Sequence, residues 1–297
     1  MEADHSRRRL LVMLALLAVY LIWGSTYLGI RVAIETLPPF TMGGARFLLA
    51  GLVLMLYLRA RGAAWPSARQ WLASAAIGVL LLGGGNGAVC YAEQWIASGL
   101  AAVWIATVPL TTALFEGLWG RWPTRLEWLG LMVGLGGVVI LNLEDNLAAN
   151  PQGAIALTIA VVTWSFGSAW SCRLDLPRGL MASAAQMLTG GLFMLLLGAL
   201  VGERITVLPS ARSALAFAYL TVFGSFIAYS AYAYLLQTVR PTIATSYAYV
   251  NPLVAVALGA WLIGEPITRV AIVAMGVILA GVALLALARQ PRTEKSV

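Results

Sequence analysis

Apolar runs of bilayer length follow one another along almost the whole chain, and no other feature constrains the fold as much. Between charges and turn residues they fall at about 10–30, 40–58, 71–92, 98–119, 127–142, 153–172, 180–201, 213–236, 241–262 and 270–288. A helix needs about 20 apolar residues to cross a hydrocarbon core of about 30 Å. Inside that core each segment must satisfy its own backbone amides, so each run reads as a helix. Composition agrees: of 297 residues, 61% are hydrophobic and 10% are charged, against about 25% charged in soluble domains. The predicted class is an all-α polytopic membrane protein of ten transmembrane helices. The start, "SRRRLLVMLALLAVYLIW", has the outline of a secretory signal. Its apolar run continues to Ile30 without a small-residue cleavage pattern, so it reads as a retained first span.

Ten spans put both termini on one side, and the basic residues choose the side. With the N-terminus cytoplasmic, that face holds Arg7, Arg8, Arg9, Arg59, Arg61, Arg69, Arg121, Arg125, Arg173, Arg178, Arg240, Arg289, Arg292 and Lys295. The opposite face holds Arg31, Arg204, Arg212 and Arg269, a split of 14 to 4 that sets both termini inside. Glu35, Glu93, Glu144, Asp145, Glu203 and Glu265 then lie outside, and Cys90 and Cys172 sit at opposite faces, too far apart for a disulfide. The net charge of +7 is scattered between apolar runs without a basic face, which argues against nucleic acid.

The chemistry of catalysis is thin. His5 is the single histidine, and there is no HExxH or Walker sequence. Zinc clusters, Ser–His pairs and ATP drive within this chain have no residues to use, so no enzyme activity and no cofactor are expected.

The chain also repeats itself. Pro252, within "ATSYAYVNPLVAVAL", stands 143 residues after Pro109, within "SGLAAVWIATVPLTTAL". At the same offset Trp104 falls on Tyr247, Tyr91 on Tyr234 and Asn86 on Tyr229, while Trp23 falls on Trp164 at 141. "GRWPTR" (120–125) matches "GEPITR" (264–269), and "GGVVIL" (136–141) matches "AGVALL" (280–285). Two five-span units follow, residues 1–146 and 147–297. An odd number of spans per unit inserts the second upside down, the inverted-repeat plan of secondary transporters. Arg121 in an inside loop opposite Glu265 in an outside loop agrees with inversion. The paired prolines predict helix breaks at a midplane site, because proline frees carbonyls that hydrocarbon cannot satisfy.

These residues resemble the EamA-domain branch of the drug/metabolite transporter superfamily over essentially the whole chain. The likeness rests on "IWGSTY" (22–27), "ARFLLAG" (45–51), "SGLAAVWIATVPL" (98–110), "SYAYVNPLVAVALG" (246–259) and "GEPIT" (264–268) taken together. It implies a basket of ten helices around a central cavity, lined by the first, third and fourth helices of each half. It sets the fifth helix of each half outside, open to dimer contacts, and implies export of small metabolites, often amino acids, or of drugs. One departure is that Gly120–Arg121 stands where the second copy has Gly264–Glu265, so an acidic residue is not carried at both ends.

The candidate cavity residues are Trp23, Asn86, Tyr91, Trp104, Trp164, Tyr229, Ser246, Tyr247, Tyr249 and Asn251, an aromatic wall with a few hydroxyls and amides. Asn251 could equally bond carbonyls freed by Pro252, and Trp104 and Trp164 could be helix packing. Trp65, Trp71, Trp95, Trp122 and Trp128, near span ends, fit an interfacial belt. Arg46 lies within its span and either acts in gating or coupling, or has a structural role, snorkelling to the interface or bonding the C-terminal carbonyls of a neighbouring helix. For proton coupling a carboxylate near the cavity is needed; Glu93 is best placed and Glu116 second. Arg31 stands at the same depth, and the pair Glu93–Arg31 is expected as an ionised outer gate. "GGGNG" (83–87) reads as close helix packing and not a phosphate loop, and Gly130 and Gly134 as a helix-association motif.

The chain thus reads as a secondary transporter exporting small metabolites, foremost amino acids or related amphiphilic solutes, across the inner membrane by alternating access. It would work as a monomer or homodimer in lipid. Drug efflux by the same mechanism is the alternative, and a lipid scramblase or non-transporting scaffold would share this composition. A reporter fused after Val297 should be active only in a form that works in the cytoplasm; periplasmic activity would overturn the orientation.

Overall fold

The computed structural model describes residues 2–96, 98–141, 150–263 and 268–288. Glu144, Asp145, Glu265, Arg289, Arg292 and Lys295 lie outside the described residues. The described residues form helices and no strand. They are α1 (Glu2–Ala33), α2 (Pro39–Ala60), α3 (Ala68–Ala92), α4 in two pieces (Ser98–Ile105 and Val108–Gly117), α5 (Arg125–Leu141) and α6 (Pro151–Ser171). After them come α7 (Leu180–Leu200), α8 (Ala211–Thr238), α9 in two pieces (Pro241–Ala244 and Tyr247–Ile263) and α10 (Arg269–Leu287). Among the described residues 8 helices are long and apolar enough to cross a membrane. α5 and the long piece of α9 have 17 residues each, at the lower edge of the roughly 17–25 that a span requires.

The ends follow from local chemistry. Ser67 Oγ accepts from the Gln70 amide at 3.2 Å while the Gln70 side chain accepts from the Ser67 amide at 3.1 Å, a capping box that starts α3. Asn150 and Thr268 cap α6 and α10, and Pro39 and Pro151 occupy first turns where no amide is needed. Glu203, in the loop after α7, accepts from the amides of Phe40 (3.0 Å) and Thr41 (2.7 Å) and anchors the start of α2.

Lipid tails give apolar helices no reason to associate, so close backbone approach has to hold them together. α2 runs along α7, and α5 along α10. α1 packs against α8 and α9, and α6 against α3 and α4. Glycines line these crossings. A methyl at Gly44 would stand 2.8 Å from the carbonyl oxygen of Gly191, and one at Gly281 would stand 2.5 Å from the amide of Gly134. The Gly130–Gly134 motif therefore meets α10 of the same chain. The outward faces of α5 and α10 stay apolar and exposed, as at Met132 and Val273.

The glycine run of α3 does more than pack. Residues Val79–Gly87 are wound as a π-helix, and so are Leu220–Tyr229 of α8. Side chains at Gly83, Gly84 and Gly85 would collide with Phe193, Thr163 and Trp164. Wide turns of this kind are rare and gather at functional sites.

The two prolines behave differently. α4 breaks at Ala106–Thr107, and Pro109 lies in the first turn of its second piece. Pro252 instead sits inside the continuous second piece of α9, and the break expected there falls earlier, at Thr245–Ser246. Hydroxyls back-bond at the break: Thr245 Oγ1 donates to the Pro241 carbonyl at 2.9 Å and Ser246 Oγ to the Ile243 carbonyl at 2.7 Å.

Gly281→Ala should lower the thermal midpoint in detergent, by roughly 1–3 kcal/mol of stability, because two backbones must part. Gly136→Ala, with nothing within 4 Å of the added methyl, should leave it unchanged.

Candidate functional site

α1, α3, α4, α6 and α9 line a cavity that is partly open, with about 460 Å³ of atom-free space counting the open solvent at its mouth. Its floor is aromatic. Trp23 meets Trp164 edge-on at 5.4 Å between ring centroids and Tyr247 at 4.7 Å, and Tyr232 of α8 lies beneath, 5.1 Å from Trp23 and 5.2 Å from Trp164. Both indole N–H groups are spent on holding the rings. Trp23 Nε1 donates to the Gly224 carbonyl at 3.2 Å, inside the π-wound stretch of α8, and Trp164 Nε1 donates to the Tyr232 hydroxyl at 3.0 Å. Ser168 Oγ shares a 2.6 Å hydrogen bond with the same hydroxyl. The rings therefore serve as fixed apolar faces rather than as donors.

The walls are polar. Asn86 and Asn251 line the cavity from α3 and α9, with Thr26 and Tyr27 from α1. Asn86 Oδ1 accepts from Arg46 Nη2 and from Cys90 Sγ, which leaves the amide NH2 as its free donor. Asn251 is buried, and its amide makes no well-formed hydrogen bond, with the Tyr27 hydroxyl as a polar neighbour. A buried amide in that state is destabilising by about 1–3 kcal/mol until something bonds it. Two amides, a hydroxyl and an aromatic floor suit a small amphiphilic solute.

Five of the predicted residues, Trp23, Asn86, Trp164, Tyr247 and Asn251, meet at this cavity. The others do not line it. Trp104 packs, partly buried, against the core beside the cavity. Tyr91 stacks on Phe40 at 5.6 Å and on the edge of Trp95 at 4.6 Å. Tyr229 donates to Gln186 of α7 at 2.8 Å, and Tyr249 to the Leu131 carbonyl of α5 at 3.0 Å. Ser246 bonds Tyr20 at 2.7 Å, below the floor. The repeat offset fixes depth in the bundle, but the break in α4 and the π turns in α3 and α8 decide which way each side chain points.

The charges depart further from expectation. Arg46 does not reach an interface: it is 1% exposed, its guanidinium lies 4.5 Å over the Phe47 ring, and it holds Asn86 at the cavity wall. The ion pair expected between Glu93 and Arg31 is not formed. Arg31 Nη1 donates to the main-chain carbonyl of Glu93, while both carboxylate oxygens are buried without a hydrogen-bond partner. Glu116 is not at the cavity but in a knot at the opposite end of the bundle. Arg240, between α8 and α9, pairs with Glu127 at the start of α5 and reaches Glu116 of α4 at 3.7 Å. Thr242 binds Glu116 through its amide (3.3 Å) and its hydroxyl. Glu127 closes the cluster by accepting from the Thr124 amide at 2.7 Å. Arg240, Glu127 and Tyr232 had no local signal in the sequence, since their partners lie in distant helices.

A profile of the EamA-like transporter family matches residues 10–143 and again 151–287. The chain belongs to the EamA-like transporter family. It is a membrane transporter of the drug/metabolite superfamily, and that family's members are transporters rather than enzymes. Among similar proteins, "Uncharacterized inner membrane transporter YedA" of Escherichia coli (strain K12) is 48% identical over 276 residues, 93% of this chain and 90% of the relative. "Protein PagO" of Salmonella typhimurium is 25% identical over 292 residues, 95% of each chain. A crystal structure of a protein 21% identical superposes with a TM-score of 0.76 over 96% of this chain and 99% of its own, so the fold is shared.

Arg240→Met should destabilise the protein by roughly 1–3 kcal/mol by leaving two buried carboxylates without their cation. Adding Glu116→Gln and Glu127→Gln to it should recover much of that loss in thermal unfolding; three additive losses would mean that the groups do not interact.

Proposed function

We propose that this transporter has ten spans in two inverted five-helix repeats, 1–146 and 147–297, and exports small metabolites by alternating access. Amino acids or similar amphiphilic solutes are the substrate class. Three observations support the architecture. The family profile fits twice, the two π stretches fall at matched places in α3 and α8, and the helix contacts come in matched sets. The contacts of α1 with α8 and α9 repeat as those of α6 with α3 and α4, while α2–α7 and α5–α10 each pair with themselves under the exchange. The basic residues favour cytoplasmic termini, and the likeness to the inner membrane transporter YedA supports an inner-membrane location.

One observation carries the transport reading: a cavity in which Trp23 and Asn86 of the first repeat face Trp164, Tyr247 and Asn251 of the second. A solute there touches both halves at once, so a rocking of one half on the other changes its exposure. In this conformation the Arg240 end is shut in three layers: the aromatic floor, the Tyr20–Ser246 bond and the Arg240–Glu116–Glu127 knot. With cytoplasmic termini that end is the inner one, and this is an inward-closed state.

Counterflow of labelled amino acids in proteoliposomes tests the proposal. Trp164→Ala and Tyr247→Ala should each lower it by roughly tenfold, equivalent to about 1.4 kcal/mol, with folded yield reduced less. Trp65→Ala, whose ring is 59% exposed and stacked under Arg59, should be near neutral. Equal losses at all three positions would assign the aromatic residues to packing instead, and counterflow of a drug but no amino acid would favour efflux.

A further inference from the structure

Glu93 is the residue whose surroundings fit its charge least. It is 0% exposed, and neither carboxylate oxygen has a hydrogen-bond partner. An ionised carboxylate placed there would lose its water without gaining a donor, a penalty that a proton removes. Two guanidinium groups act on it, Arg31 and Arg46, and neither gives it a hydrogen bond, although Arg46 Nε is itself buried without a partner. Arg31 donates to the carbonyl of residue 93 itself, and Arg46 donates to Asn86. The other titratable neighbours are Tyr27 on α1 and Cys90 one turn back on α3, with Glu203 acting on Cys90. α6, which packs against this end of α3, has no titratable side chain. Glu93 lies on the same face of α3 as Asn86 and Val89, which line the cavity.

We propose that Glu93 is a proton-binding site, neutral in this conformation, and that loss of its proton moves Arg31 from the main-chain carbonyl to the carboxylate. The step balances simply. The carboxyl O–H bond breaks, the electron pair stays on oxygen, and the proton passes to water at the mouth of the cavity. An Arg31 N–H then leaves the carbonyl oxygen and donates to the new carboxylate. The contact between α1 and α3 is thereby remade as an ion pair, at the end of the bundle opposite the Arg240 knot. Its use in coupling solute export to proton entry rests on the transporter reading; the proton site does not.

Infrared difference spectra of the purified full chain in lipid nanodiscs, stepped from neutral to alkaline buffer, test the site without a transported solute. The wild type should show the C=O stretch of a protonated carboxylic acid, shifted in heavy water and lost at alkaline pH. Glu93→Gln should lack that band, and Glu93→Asp should restore one at a displaced position, which excludes misfolding as the cause. Arg31→Gln should keep the band and move its loss to more alkaline pH by about one unit, as the ionised form loses its partner. A wild type with no such band at neutral pH, or a band that persists in Glu93→Gln, would overturn the proposal. Counterflow is scored separately: a Glu93 band with no counterflow of any solute keeps the proton site and removes the proposed export of small metabolites by alternating access.

Discussion

Hydrocarbon offers the backbone no water, and the rest of this structure depends on that fact. Every amide and carbonyl must be satisfied within the protein, so the chain is helical wherever it is apolar. At the interruptions, hydroxyl groups add a second bond to carbonyls that main-chain amides also hold. At the break in α4 the Thr107 hydroxyl bonds the Trp104 carbonyl at 2.7 Å, and at the break in α9 Thr245 and Ser246 do the same for Pro241 and Ile243. Within the π-wound stretch of α8 the Gly224 carbonyl accepts from Trp23 at 3.2 Å. In α8 the irregular backbone and the cavity are therefore linked, because a carbonyl of the π-wound stretch holds Trp23 of the cavity floor.

Small residues set the distance between helices, and this in turn sets the cavity. Gly85 lets Trp164 lie directly on α3, where a methyl would stand 2.5 Å from the indole, and Gly24 lets α9 approach α1 through Val254. The aromatic floor is thus brought to its spacing by glycines, of which Gly85 itself lines the cavity. The tight crossings α2–α7 and α5–α10 act as a frame around it. Interfaces of this kind are held by shape rather than by water exclusion, so they can exchange one close packing for another at modest cost.

The charged groups divide between the two ends. At the Arg240 end, opposite charges are brought together and hydrogen-bonded, a closed cluster linking α4, α5 and α9. At the Glu93 end, a carboxyl is buried with its cation engaged by a carbonyl. The buried pairs at the Arg240 end are made, while at the Glu93 end the ion pair that forms is the exposed Arg212–Glu35, at 3.6 Å, and the buried carboxyl has none.

Periodicity of apolar runs, their breaks and the placement of arginines were legible in the sequence because they answer to the bilayer, which acts on each segment separately. The extents of α2, α3, α6 and α7 follow the apolar runs to within a few residues. The offset between Trp23 and Trp164, or between Trp104 and Tyr247, was legible too, and it located the depth of the site. Its direction was not. Trp104 and Tyr247 share an offset but not a surface, because the break in α4, and the one before Tyr247 in α9, each turn the helix by an amount that local sequence does not encode. The same holds for the charges. Sequence placed Glu93 and Arg31 at one depth, but which oxygen of residue 93 Arg31 holds depends on how α1 and α3 cross. Depth in a membrane is a property of one segment; facing and pairing belong to the packed bundle, and only the tertiary structure decides them.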